Sequence, residues 1–560
     1  MSSEKARGFT RRTFIKGAAL GTAGLASVGL LGCGQSEEQA VPQADSPSPE
    51  PVQPSFMQPP KPIPDSEIKE TVDTDVVVCG AGKAGLCAAI AAAQAGARVV
   101  LLEKGDYTGF RGMEYGAVGS RNQKKIGAEI DRDEVVNEIM RWGGYKADQR
   151  IVSLWADHSG ETMDWIEDMG KELGISAKPV AIERQTIKGT FFKYYPAVAC
   201  EFVPNDAANA QEPKLTFPTQ QALRYILETK IKQLGVDVRF RTPAEQLIRK
   251  DQGRVTGVIA KSEAGYIKFN ASKGVVLCTG DYGNDPEMLK YYIPSSENIY
   301  GITYPNKQNT GDGHKMGLWV GAAMDEGPHA PMYFDQGLDG MPPGYKPVPL
   351  TRQPWLGINI LGERFANEDL PYGYVSNSML RQPGCMKWVI WDAKWPEEVE
   401  RFGYIVCKEM KPPLHQPKEI EDLIAKGIIL SADTLDELIA KMKVPAETCK
   451  ATIARYNELA RMKKDLDFGK RPECLTTIEK APFYATRLAT TLLVTLGGLQ
   501  INEKLQVLDK DRKVIPGLYA AGNTSGNFFF NDYPINVCGV SHGRALTFGR
   551  LAGMSVVANG

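Results

Sequence analysis

The chain has 560 residues, with 66 Lys and Arg against 67 Asp and Glu, and 42% of it is hydrophobic. That length supports a large core and two domains. The balanced charge, with none of the motifs of RNA or DNA readers, argues against a nucleic-acid partner, and only five scattered histidines argue against a His-rich metal site.

TRRTFIKG (Thr10 to Gly17) places Arg11 and Arg12 ahead of a Gly/Ala-rich apolar stretch that ends in LLGC, Leu30 to Cys33. The run from Gly17 to Gly32 is shorter than the ~20 apolar residues of a membrane span, so residues 1–33 read as an export signal. The arginine pair resembles the signal of the twin-arginine translocase, which exports proteins already folded and so allows a cofactor to be inserted first. LLGC resembles a lipobox, with Cys33 as the lipidated residue, although a small residue before Cys also arises by chance and leaves lipidation open. Residues 34–69 read as a linker. Between Pro42 and Pro64 they are dense in Pro, Ser, Glu and Gln, too poor in apolar residues for a core, and predict an extended, mobile tether, with the folded part starting near Thr71.

TDVVVCGAGKAGLCAAIAAAQAGARVVLLEKGD (Thr74 to Asp106) then predicts strand, helix and strand. Val76, Val77 and Val78 form a β-branched run suited to a strand buried on both faces. Gly80, Gly82 and Gly85 spell G-x-G-x-x-G: the first permits the tight turn, the second lets backbone approach a pyrophosphate, and the third lets helix pack on strand. Glu103, at the end of RVVLLE, is placed to accept hydrogen bonds from ribose hydroxyls. Dinucleotide binding follows, in an α/β, Rossmann-like domain, but FAD and NAD share the adenosine diphosphate that this unit reads.

GRVTGVIA, KGVVLCTGDYGNDPEM (Lys273 to Met288), TGDGHKMGLWVGAAMDEG (Thr310 to Gly327), GINILGERFANED (Gly357 to Asp369) and VIPGLYAAGNTSG (Val514 to Gly526) together resemble the FAD-binding flavoproteins of the fumarate reductase and 3-ketosteroid dehydrogenase family, from about Val72 to Ala552. The resemblance implies FAD, held by a discontinuous domain of residues 70–335 and 480–560, with an α+β clamp domain, 336–479, capping the flavin. It implies cofactor contacts from Gly80, Ala81, Gly82, Ala84 and Gly85; from Glu103, Lys104, Thr108, Gly109, Arg111 and Gly112; from Ala244, Thr279, Gly280 and Asp312; and from Gly522, Asn523, Gly539 and Ser541. Within the clamp, SADTLDELIAKMKV and PAETCKATIARYNELARMKKD predict amphipathic helices with polar starts.

The family's reductases pass a hydride from flavin N5 to an electron-poor C=C while a side-chain acid protonates the neighbouring carbon; its dehydrogenases run the reverse. Dicarboxylate reductases hold fumarate with arginines and histidines, and four such positions differ here. Met332, Tyr333 and Phe334 stand in place of a His-Pro-Thr, Tyr372 in place of the proton-donating arginine, Leu493 and Val494 in place of a histidine, and NFFFNDYP in place of a second carboxylate-binding arginine. The expected pocket, lined by Met332, Phe334, Leu493, Phe529 and Phe530, suits a bulky, mainly uncharged substrate such as a steroid-like enone or an unsaturated lactone of cardenolide type. A phenol with pKa near ~10 stays protonated and can donate, so Tyr533, Tyr372 and then Tyr333 are the candidate proton donors, each of which could equally be a hydrogen-bonded core tyrosine. Arg352 keeps open a reductase of an unsaturated carboxylate (fumarate, urocanate or an aryl acrylate) serving anaerobic respiration, whereas Arg364 reads as structural. A 3-ketosteroid dehydrogenase and a flavin-binding lipoprotein without catalysis remain the further alternatives.

An exported enzyme has no obvious access to NAD(P)H, and the chain has no C-x-x-C-H for a covalent haem. The resemblance implies a membrane-anchored multihaem cytochrome c as electron donor, with the enzyme outside the cytoplasmic membrane, at the cell surface or lipid-anchored. The ten cysteines include no C-x-x-C pair, so their spacing does not support an iron–sulfur cluster. A cluster assembled from distant cysteines stays open, as do disulfides.

Overall fold

The computed structural model describes residues 53–109, 112, 114–179, 193–211, 220–303, 307–343, 353–402 and 417–560. Arg11, Arg12, Cys33, Arg111 and Arg352 therefore lie outside the described residues. The β-branched run forms the end of a strand, Ile68–Cys79, whose Val76, Val77 and Val78 are wholly buried. It lies between Val99–Leu102 and Gly265–Leu277, parallel to both. Val514–Ala520 extends the parallel array on one side and Asp237–Arg239 on the other, giving an eight-stranded sheet with antiparallel additions at its margins. Strands this apolar need cover on both faces.

The crossover helix Lys83–Gln94 provides cover, and it is itself buried from Lys83 to Ala92. Its outer side receives the helix Val540–Asn559, and two glycines set how close that helix can come. A Cβ on Gly549 would sit 2.3 Å from the Ala84 carbonyl oxygen, and one on Gly553 2.2 Å from that of Ala88. The opposite ends of the described chain thus meet backbone to backbone.

A second, six-stranded sheet is built around the long strand Phe483–Thr495. Pro331–Leu338, Met386–Asp392 and Ile429–Ala432 pair with it antiparallel, Gly301–Ile302 pairs with it parallel, and Leu356–Ile358 lies outside Met386–Asp392. This sheet takes strands from all three of the segments 70–335, 336–479 and 480–560. The two amphipathic helices form at Leu435–Met442, where the Thr434 hydroxyl caps by accepting from Glu437 N–H, and at Ala446–Met462. Ile439, Met442, Ile453 and Tyr456 bury their apolar sides with Trp388 and Ile390 of the sheet. Arg364 is structural: it forms paired bonds to Glu368 and Asp465, both buried with it.

Residues 53–69, which composition assigns to a mobile tether, pack on the folded body instead. Residues 53–69 belong to the same compact unit as the rest of Gln53–Gly560. Phe56 is buried at 4% exposure among Tyr282, Met288 and Tyr292, and its carbonyl accepts from Trp319 Nε1–H at 2.9 Å. One large aromatic in a Pro-rich run supplies enough apolar area to dock it. Among the described residues no helix is long and apolar enough to cross a membrane.

Candidate active site

The carboxyl ends of three parallel strands converge where an open α/β sheet binds its ligand. At the first, Gly80 has φ +101°, and a Cβ there would meet the Cys278 carbonyl oxygen at 2.4 Å. Gly85 is packed tightly: a Cβ would lie 1.8 Å from the Gly80 carbonyl oxygen. Gly82, which caps the helix with φ −80°, is different, because its Cβ would meet nothing closer than 3.5 Å. The three glycines thus divide as their spacing requires, with the turn and the packing contact closed and the middle position open at a helix N-terminus, where backbone N–H groups and the helix dipole attract phosphate.

Glu103 is oriented by backbone, its two oxygens accepting Ala81 N–H and Gly105 N–H at 2.8 Å each. The strand-end turn before Ala244 runs alongside, Thr242 N–H donating to the Glu103 carbonyl. Lys104 pairs with Asp312, on the first turn of the helix Asp312–Trp319, and with Thr310 just ahead of it, each at 2.8 Å. At the second strand end, Thr279 Oγ1 accepts Gly313 N–H at 3.0 Å, and Thr524 Oγ1 donates to the Gly280 carbonyl at 3.1 Å. At the third, a Cβ on Gly522 would come within 3.0 Å of the Ala84 Cβ, so Gly522 and Asn523 abut the glycine loop. Thr108 is committed elsewhere, donating to Glu228 and accepting from Arg224; Gly109 borders open space and Gly112 packs on His542. The Gly539 carbonyl accepts Gly116 N–H at 2.8 Å, and Ser541 N–H donates to the Tyr533 hydroxyl at 3.3 Å. An open phosphate-sized cradle, a backbone-held acid at the end of the next strand and three converging turns fit a flavin dinucleotide.

The sequence matches the family described as FAD binding domain over residues 75–533. The chain belongs to that family of FAD-dependent flavoproteins. It is 30% identical to a vinyl phenol reductase of Lactiplantibacillus plantarum over 86% of this chain and 95% of that protein. A digoxin reductase of Eggerthella lenta is 26% identical over 99% of this chain and 97% of its own length. Among solved structures, a flavocytochrome c3 fumarate reductase in its open conformation superposes with a TM-score of 0.65 at 25% identity, covering 88% of this chain and 79% of that one. The chain is accordingly an FAD-dependent oxidoreductase acting on carbon–carbon double bonds, with the mixed α/β fold of the fumarate reductase and ketosteroid dehydrogenase flavoproteins.

The candidate substrate-side residues fall into two groups. Phe334 and Tyr372 meet edge to face, ring centroids 4.5 Å apart, and Phe529 and Tyr533 lie 5.5 Å apart. The two pairs are joined through Asp532, which precedes Tyr533 and accepts from Asn377 on the helix Tyr372–Met379. Met332 and Leu493 sit on the neighbouring strands Pro331–Leu338 and Phe483–Thr495, where Met332 pairs with Val494. Tyr333, between Met332 and Phe334, turns to a different apolar cluster, with its hydroxyl 2.8 Å from Ser295 Oγ. Strand alternation separates it from its neighbours. Of the phenylalanine triplet, Phe528 and Phe529 are buried and Phe530 is half-buried, with its Cβ near Gly143.

Burial raises the pKa of Tyr533, so its phenol stays protonated across the physiological range. Asp532, also buried, has its carboxyl pushed up to about 6 by desolvation. Arg544, Asp532 and Asn377 escaped sequence reasoning; the one available signal was that Asp532 is the sole charge in NFFFNDYPINVCGVSHG. The eight described cysteines are free, and no group of His, Cys, Asp and Glu among the described residues could hold a metal ion.

Proposed function

We propose that the chain is an exported ene-reductase for a bulky, uncharged substrate, and the two aromatic pairs, Phe334 with Tyr372 and Phe529 with Tyr533, linked through the Asp532–Asn377 hydrogen bond, are the observation that carries this reading. When bound, FAD supplies the hydride. The chain's own part is to exclude water with these rings, orient the alkene and deliver one proton to the carbon beside the one that takes the hydride. Tyr533 suits that step: its oxygen already accepts Ser541 N–H, so its hydroxyl proton points elsewhere. Tyr372, edge-on to Phe334 and buried, is the second donor.

Two buried arginines of the described residues are committed to internal partners. Arg544 donates to the Gly522 and Ser525 carbonyls and to Asn523, and Arg471 forms a two-point pair with Asp369. A guanidinium so engaged cannot form a fresh two-point bond to a substrate carboxylate. The named substrates of two relatives, vinyl phenol and digoxin, are likewise uncharged at neutral pH. Segment 336–479 would act as the clamp, a membrane-anchored multihaem cytochrome c as electron donor, and residues 1–33 as a twin-arginine signal with Cys33 as a lipid anchor.

The test is anaerobic. The flavin-loaded protein is reduced chemically and its reoxidation followed with 4-vinylphenol, a 3-ketosteroid enone, a cardenolide lactone, fumarate, urocanate and an aryl acrylate. Fast reoxidation by the neutral alkenes alone is expected, and Tyr372→Phe or Tyr533→Phe should lower that rate about 100-fold at unchanged flavin content. Tyr333→Phe should change it little, because that hydroxyl is engaged with Ser295. Fast reoxidation by a carboxylate alone would overturn the reading and make Arg352 the anchor to examine.

A further inference from the structure

Asp532 sits where the two tyrosine-bearing elements meet. One carboxyl oxygen accepts Tyr533 N–H and the other accepts Asn377 Nδ2–H, both at 2.7 Å. A Cβ on Gly373 would lie 3.2 Å from the first of these oxygens, so the carboxyl is packed against the opening turn of the helix Tyr372–Met379. Its two hydrogen-bond partners are neutral, and both are donors. A carboxylate accepts from both at full strength; protonation turns one oxygen into a hydroxyl, a weaker acceptor whose proton also needs a partner where two N–H donors already point in, and so loosens one of the two bonds.

The charge is also felt beyond these contacts. Among the groups facing it, the phenols of Tyr333 and Tyr374 are held in their protonated form first by burial and then also by the Asp532 charge, and Arg141 and Glu138 act on Tyr374 with opposite sign. Desolvation pushes the carboxyl's own pKa up to about 6.

We propose that Asp532 is a positioning residue for proton delivery: its carboxylate couples the Tyr372 helix to the Tyr533 loop by holding Asn377 and the Tyr533 backbone together, and protonation of Asp532 uncouples them. The inference rests on the ene-reductase reading of the same site. Asp532→Asn reproduces the uncoupled state at every pH, since an amide has one acceptor oxygen for two donors. Asn377 is exposed, so Asn377→Ala removes the helix-side bond with little risk to the fold.

The experiment follows reoxidation of the reduced, flavin-loaded protein by 4-vinylphenol and by a 3-ketosteroid enone from about pH 5 to about pH 8. The wild-type rate should rise about tenfold across an inflection near pH 6, Asp532→Asn should be flat at the low level, and Asn377→Ala should lower the plateau about tenfold, as misplaced donors do. A wild-type profile without the inflection, or an Asp532→Asn profile that keeps it, overturns the proposal. If neither alkene reoxidises the flavin, the ene-reductase reading has failed separately, and thermal unfolding of the FAD-loaded proteins decides on Asp532. A carboxyl with a raised folded pKa contributes stability at low pH that is lost as pH rises through about 6. The Tm of Asp532→Asn should therefore gain on the wild type between about pH 5 and about pH 7; a constant difference overturns the proposal by this second route.

Discussion

The Arg544 guanidinium lies 4.9 Å from the centroid of the Phe529 ring and 5.3 Å from that of Phe528. Arg544 is fully buried, with hydrogen bonds to the loop Gly522–Ser525 and with Asp325 as the acid whose charge favours it. Two of the three phenylalanines in NFFF are thus the apolar cover of a buried cation, and Phe529 has a second neighbour in Tyr533. Arg544→Met should cost ~3 kcal/mol or more, because three acceptors lose their donor and Asp325 loses its nearby positive charge. Thermal unfolding measures that loss. Flavin absorbance relative to protein should fall with it, since Gly522 and Asn523 abut the glycine loop.

Gly82 and Gly85 make a sharper comparison. Gly82 has an extended backbone and space around its Cα, whereas a side chain on Gly85 would collide with the Gly80 carbonyl. Gly82→Val should leave the apoprotein folded, with unchanged far-ultraviolet circular dichroism, and lower FAD affinity at least 100-fold, measured by flavin titration. Gly85→Ala should instead lower the Tm of the apoprotein itself. Equal loss of fold in both variants would contradict this division of roles.

A pH effect follows from the buried groups behind the aromatic cover. Burial pushes the Asp325 carboxyl up to about 7, although it accepts Gly498 N–H and Asn527 N–H. His329 donates Nε2–H to the Asp325 carbonyl and accepts from the Tyr282 hydroxyl, which keeps its ring neutral; burial lowers its pKa, like that of His314, to about 4. The raised carboxyl makes stability fall as pH rises from about 4 to about 7, and the lowered imidazoles make it rise from about 4 to about 6.5. These slopes oppose each other in the wild type. Asp325→Asn should be less stable overall, yet its stability should climb by about 1 kcal/mol or more per pH unit between pH 4.5 and pH 6, as denaturant unfolding of the FAD-loaded protein would show.

What could be read from sequence was local. G-x-G-x-x-G, the β-branched run before it and the acid after it lie within one short stretch, so their spacing alone placed Gly80, Gly82, Gly85 and Glu103 where the structure has them. The helices at 435–442 and 446–462 were equally legible, because a polar start and an apolar period are short-range signals. Arg544 was not, since an arginine at the head of RALTFGR carries no period and its meaning lies in contacts with Phe528, Phe529 and the Gly522 turn. Phe56 was lost in its Pro-rich surroundings: composition averages over a window, whereas one ring filling one gap decides docking. The direction of Tyr333 was not legible either: strand alternation sends it away from Phe334 to Ser295, and a register irregularity beside Met332 hides that from pattern alone.

The close contact of Gly549 and Gly553 with Ala84 and Ala88 bears on the order of events during biosynthesis. A ribosome delivers the glycine loop well before the turn at Gly522 and the helix that clasps the crossover helix. Until then the loop has no opposing wall, and such long-range contacts close slowly. FAD capture should therefore wait until the helix Val540–Asn559 has been made, and a nascent chain paused before Val514 would present its apolar crossover helix uncovered, as a client for chaperones.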